Sequence, residues 1–139
     1  MDEVAAQALI SAETEKLRSI NKDLGIVSIT QENWDIFVEF LRKKDGKIYA
    51  VRFRCDNGFP IEACAGVAFV NPKTRKEEGI EFWPDDGEQA VKRNHNPPFV
   101  CMLGVREYHQ SPGNHGGKPP REMASLAPLF TSLIIHLNK

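Results

Sequence analysis

Cysteine is scarce in this chain. There are three, Cys55, Cys64 and Cys101, with no CxxC pair among them. An odd count without metal-type spacing excludes a disulfide framework and points to a reducing, cytoplasmic setting with at least one free thiol. Runs of one charge are absent too, and the formal net charge is −1. Nucleic-acid binders normally show a basic patch or stripe, so no nucleic acid is expected as a partner. No apolar run approaches the roughly 18–20 residues that span a bilayer, so no membrane is expected either. Asp2 and Glu3 stand where a secretory signal would be basic. There is no repeat, low-complexity tract or linker, and 139 residues read as one domain covering 1–139, large enough to bury a core without staples.

What is present reads as α+β. Residues 2–21 carry Val4, Ala8, Leu9, Ala12, Leu17 and Ile20 near helical spacing, with no Gly or Pro inside. From Gly25 the period becomes two. Ile26, Val27 and Ile29 suggest a first strand, residues 34–42 a second through Trp34, Ile36, Val38 and Phe40, and Ile48 to Arg54 a third. Lys44-Asp45-Gly46-Lys47 is a hairpin turn. Phe59-Pro60 leads into a fourth strand at 63–70, giving a four-stranded antiparallel meander. Residues 71–78 look like a solvated loop, Phe82-Trp83 like cover over the core edge, and 85–93 like a short helical turn. Residues 111–121 hold three Gly and three Pro and read as loop. Residues 125–137 return to helix, with Leu126, Leu129, Phe130, Leu133, Ile134 and Leu137 on one face and Ser125 near its N-cap.

The candidate site lies between these elements. Asn94-His95-Asn96-Pro97-Pro98-Phe99-Val100-Cys101 is followed by Met102-Leu103-Gly104-Val105-Arg106-Glu107-Tyr108-His109. Two prolines exclude helix and specify an irregular, well-defined loop or edge segment before Cys101. A cysteine reacts as thiolate, and neighbouring cationic or hydrogen-bonding groups promote that form. Cys55 and Cys64 lie in or beside strands and read as structural. His95 and His109 flank Cys101, six residues before and eight after, and either could take a proton or lower the thiol pKa, as histidine side chains do. Arg106 and Glu107 read equally as site residues or as a solvated pair. His136, in the last helix, reads as structural.

The order of helix, meander, Pro-containing turn, irregular cysteine segment and helix resembles the ubiquitin-conjugating (UBC-like) fold. Phe59-Pro60 followed by Val67-Ala68-Phe69 looks like that family's aromatic-Pro turn and fourth strand. His95-Asn96-Pro97 before Phe99-Val100-Cys101-Met102-Leu103 looks like a rearranged His-Pro-Asn motif and Ile-Cys-Leu segment, with Pro and Asn exchanged and lying closer to the cysteine. Leu126 to Leu137 is similar to the family's Leu-rich helix after the active site. The segment at 71–94 is longer than in eukaryotic members, and the chain stops where those members usually add two helices. Pro-Pro-Phe-Val-Cys and Arg-Glu-Tyr-His look most like compact bacterial versions, which sit in operons with a ubiquitin-like protein, an activating enzyme and a deubiquitinase-like peptidase, several of them antiphage systems.

The resemblance implies that Cys101 accepts the C-terminal glycyl group of a ubiquitin-like protein from an ATP-dependent activating enzyme, then passes it to an amine of a target protein. Asn96 would support the oxyanion or brace its loop; its other reading is to order the turn before Pro97. His95 would brace the loop, while His109 and Tyr108 would stand at the mouth and orient the acceptor. The first helix would dock the activating enzyme or simply pack on the sheet. No cofactor or metal is implied. Three other readings stay open: a metal site of Cys101, His109 and His115 with His95 as fourth ligand, a non-catalytic binding module of the same fold, and a cysteine hydrolase using Cys101 and His109.

Overall fold

The first helix is set by its ends. Asp2 accepts the Ala5 N–H at 2.8 Å. Glu3 lies in the first turn, and Lys16 and Arg18 in the last, so the charges complement the helix dipole at both termini. In the computed structural model, which describes residues 2–20, 22–59, 63–110 and 125–139, this helix, α1, spans Glu3–Arg18. Its buried face differs from the one the apolar spacing suggests. Ala6, Ile10 and Leu17 turn inward with Glu13 and Thr14, while Val4, Ala8 and Ala12 face out. The two polar residues stay buried because they have partners, as buried polar groups generally must. Thr14 Oγ1 lies 2.9 Å from the Ile10 carbonyl and 2.9 Å from Gln31 Oε1, and Glu13 Oε2 accepts from the Ser125 hydroxyl at 3.2 Å.

Four strands follow: β1 (Ile26–Glu32), β2 (Asp35–Arg42), β3 (Lys47–Arg54) and β4 (Gly66–Val70). They form one antiparallel sheet in sequential order, the expected meander. Glu32 pairs with Asp35, so Asn33, at φ +54°, and Trp34 make a tight turn. Asn tolerates that left-handed backbone, and Trp34 therefore belongs to the turn and not to the strand that alternation suggested. β4 starts later than expected, at Gly66 opposite Arg54, the last residue of β3, and Ala65 just before it makes a parallel bridge to Val105.

The sheet buries residues on both faces. Val38, Phe40, Val51, Phe53, Val67 and Phe69 form the inner face of the main core. Phe37, Ala50 and Val70 make a smaller outer cluster. The 71–78 segment is not simply solvated. It brings Arg75 over that outer cluster, with the guanidinium carbon 5.0 Å from the Phe37 ring centroid and Nη1 3.2 Å from Glu32. Trp83 is buried against Phe69, ring centroids 5.3 Å apart, which matches its reading as core cover.

Residues 85–93 do not form the expected helical turn. They bend into β5 (Val91–Lys92), which pairs antiparallel with β6 (Phe99–Val100). Two carboxylates compete with helix for the backbone. Asp86 accepts the N–H groups of Gln89, Ala90 and Val91 at 3.0, 2.7 and 3.0 Å. Glu88 accepts those of Arg93 and Asn94 at 2.8 and 3.3 Å. A short helix, α2 (Arg106–Gln110), and α3 (Leu126–Leu137) are the last elements among the described residues.

All six apolar residues expected on one face of α3 are buried. Phe130 meets Phe40 and Phe53 edge-on at 5.7 and 6.1 Å, an arrangement that adds to plain area burial. Ser125 holds the N-cap position, but its hydroxyl goes to Glu13 and makes no cap bond. Arg42, buried, ties the end of α3 to the sheet: Nε donates to the Leu137 carbonyl at 2.8 Å, Nη2 to the Asp85 carbonyl at 2.8 Å, and Nη1 to Asp45 at 3.2 Å. Among the described residues no helix is long and apolar enough to cross a membrane.

Candidate functional site

Cys101 sits one residue past β6. Its N–H donates to the Ala90 carbonyl at 2.7 Å, which extends the β5–β6 ladder by a step. The hairpin that carries it is held by the carboxylates of Asp86 and Glu88, so the cysteine's backbone position is fixed from the far strand. After Cys101 the chain turns through residues 102–104. Val105 N–H closes the turn onto the Met102 carbonyl at 3.1 Å, with Gly104 at φ +92°, a backbone region that suits glycine.

The segment then locks onto the sheet. Arg106 N–H donates to the Ala65 carbonyl at 2.9 Å. The Arg106 guanidinium is buried and spends its donors on backbone: Nε to the Cys64 carbonyl at 2.9 Å, Nη2 to the Asp56 and Arg54 carbonyls at 2.9 and 3.3 Å. Its Nη1 lies 2.6 Å from the Asp56 carboxylate. Glu107 Oε1 accepts the Val67 N–H at 2.7 Å. Burial pushes the Glu107 carboxyl above its ordinary range, against the Val67 bond and the charges of Arg54 and Arg106. The solvated-pair reading of Arg106 and Glu107 is therefore overturned: they bolt α2 to β3 and β4.

The three thiols are not equivalent. Cys55 is buried, and desolvation, reinforced by Asp35 and Glu13, pushes its pKa up to about 12. Cys64 is buried as well, and burial raises its thiol. Both shifts disfavour the thiolate, the form that reacts. Cys101 is half-buried and the most exposed of the three.

The other named residues divide into two groups. His95 and Asn96 are exposed in the β5–β6 connection, and the Asn96–Pro97 peptide is cis. The His95 ring meets Phe99 edge-on at 5.3 Å, and the His95 backbone N–H donates to the Lys92 carbonyl at 3.4 Å. His109 and Tyr108 come from α2, half-buried, with ring centroids 5.0 Å apart. Tyr108 also packs on the main core. His109 Nε2 accepts the Gly104 N–H at 3.1 Å, which ties it to the turn after Cys101. His136, read as structural, reaches Asp86 Oδ2 at 2.7 Å and so braces the same hairpin from α3.

His115, needed for the metal alternative, lies outside the described residues, as do Pro60 and the 111–121 loop. Among the described residues, no group of three or more His, Cys, Asp or Glu comes together to hold a metal ion. Sequence reasoning missed Asp86, Glu88 and Gly104 as determinants of the site. The one available signal was Asp85-Asp86 ahead of a short run, where an acidic side chain readily caps backbone N–H groups. No protein-family model matches the chain, and no curated protein matches it.

Proposed function

We propose that the chain is a conjugating transferase of UBC-like fold that carries a ubiquitin-like protein on Cys101 as a thioester. The observation that carries the reading is the contrast among the cysteines: two buried and disfavoured as thiolates, one half-exposed at the end of a braced hairpin that bears His95, Asn96 and Pro97. The α+β architecture and the order of elements support it.

In the first step the Cys101 thiolate attacks the thioester carbonyl on an ATP-dependent activating enzyme. A new C–S bond forms at Cys101, the old one breaks, and the donor cysteine leaves as thiolate. In the second step a deprotonated amine of the target protein attacks. The C–N bond forms, the bond to Sγ of Cys101 breaks, and the amine's surplus proton passes to solvent. Each step develops negative charge on the carbonyl oxygen, and an uncharged amide donor such as Asn96 suits its stabilisation. Tyr108 and His109, on α2, border the turn after Cys101, the side from which the acceptor approaches. The same reading sets the chain in a cytoplasmic bacterial pathway of the antiphage kind, with its ubiquitin-like protein and activating enzyme as partners.

The test is trapping. The chain is incubated with the activating enzyme and ubiquitin-like protein from its genomic neighbourhood plus ATP, then run on a gel without reductant. The expected result is an adduct that disappears with reductant and with Cys101→Ala but persists in Cys64→Ala. Absence of any adduct from folded protein and a competent activating enzyme refutes the proposal.

A further inference from the structure

The turn after Cys101 is closed by a single backbone bond, Val105 N–H to the Met102 carbonyl. Gly104, buried within it, points its own N–H at a side chain. A buried N–H needs an acceptor, and here it is His109 Nε2 at 3.1 Å. An imidazole nitrogen that accepts a hydrogen bond carries no proton, so the neutral ring keeps its proton on Nδ1. Nδ1 is buried and has no hydrogen-bond partner among the described residues. The ring thus leaves one donor unsatisfied in an orientation that satisfies Gly104. An unpaired buried polar atom calls for an explanation, and the turn supplies one. α2, which carries the ring, is itself bolted to the sheet by Arg106 and Glu107.

We infer that His109 is a positioning residue for Cys101: accepting the Gly104 N–H, it fixes the 102–104 turn and with it the direction of the sulfur, and it is not the base that takes the thiol proton. Neither nitrogen is open for that second task. Nε2 is occupied, and Nδ1 is sealed from solvent and bonded to nothing among the described residues. The inference deepens the conjugating proposal and rests on it for the thioester assay alone.

Two variants separate the roles. His109→Gln keeps an acceptor near the place of Nε2, whereas His109→Phe keeps the ring volume without an acceptor. Four readouts apply to each: melting temperature, exchange of the Gly104 amide by NMR, iodoacetamide labelling of Cys101 mapped by mass spectrometry, and thioester loading. With His109→Phe, Gly104 protection and loading fall about tenfold, while labelling of Cys101 rises roughly threefold because the freed turn exposes the sulfur. With His109→Gln all three stay within about twofold. The opposite signs of labelling and loading are the signature of lost positioning, since loss of a base lowers both. A joint fall of labelling and loading with Gly104 still protected overturns the inference. So does a His109→Phe protein unchanged in all three. Should His109→Phe not fold, His109→Gln decides: retained Gly104 protection with full loading upholds the role, and retained protection with lost loading refutes it. Exchange and labelling need no activating enzyme. If they shift as expected and no adduct ever forms, the conjugating proposal fails and the positioning role stands.

Discussion

Asp86→Asn should weaken the fold and the Cys101 segment together. The Asp86 side chain is 4% exposed, and its two oxygens take three backbone N–H groups and His136 Nε2, all within 3.0 Å. Burial opposes its ionisation, but the Val91 N–H, His136 and the Ala90 and Gln89 N–H groups outweigh it and hold the carboxyl below its ordinary range. Hydrogen bonds to a charged group contribute about 1.5–3 kcal/mol net. Asn retains one acceptor oxygen at nearly the same place, so the loss falls on the charge-assisted share, about 2–3 kcal/mol at pH 7. The sign with pH follows from the direction of the shift. A depressed carboxyl stabilises the fold above its unfolded pKa, and that stability is lost as pH falls through the folded value. Urea unfolding at pH 7 and in steps toward pH 3 should show wild type losing its advantage over Asp86→Asn in acid. The defect should also reach the site, because Ala90 gives its N–H to Asp86 and takes the Cys101 N–H on its carbonyl. An Asp86→Asn protein within about 0.5 kcal/mol of wild type at pH 7 refutes the reasoning, since one charge-assisted bond alone exceeds that.

Glu107 runs the other way. Its carboxyl is raised by burial, so its contribution is greatest below the unfolded pKa and falls away as pH rises through the raised value. Glu107→Gln, which can still accept the Val67 N–H, should be neutral or stabilising by up to about 1 kcal/mol at pH 7, and Glu107→Ala should cost about 1–3 kcal/mol by leaving that N–H unpaired; chemical denaturation at pH 4 and pH 7 tests both signs. Phe130→Ala should cost about 3–5 kcal/mol, because a fully buried ring between Phe40 and Phe53 leaves a cavity. A loss under 1 kcal/mol in urea would mean that the α3–sheet core is not packed as described.

Where burial follows apolar periodicity, the fold was legible. The six inward residues of α3 and the alternation of β2 are of that kind, because one stripe or face of each element meets the same core. Legibility stopped where a polar side chain found a distant partner. Glu13 and Thr14 turn α1 onto a face that spacing alone would not choose, since their partners Ser125 and Gln31 lie on other elements. Asp86 and Glu88 convert an expected helical turn into a hairpin by taking its amides. The candidate site divides likewise. The proline-stiffened approach to Cys101 could be read from the sequence, whereas the place of His109 could not. The sequence shows an imidazole eight residues after a thiol, and only the folded turn shows that Gly104 intervenes.

A common physical logic links these misses to the site. The side chains that set the Cys101 segment, Asp86, Glu88, Arg106, Glu107 and His109, all bond to backbone. Backbone donors and acceptors are the same at every residue, so the bonds depend on the path of the chain and little on which side chains line it. Such a scaffold can hold a cysteine in a fixed place while the residues around it vary. Under the conjugating proposal, chemistry at Cys101 would constrain few positions directly: the thiol itself, the glycine that permits the turn, and the groups that meet the carbonyl oxygen. That proposal puts the test of function at the thiol and the test of architecture in the acidic and basic residues that grip the main chain.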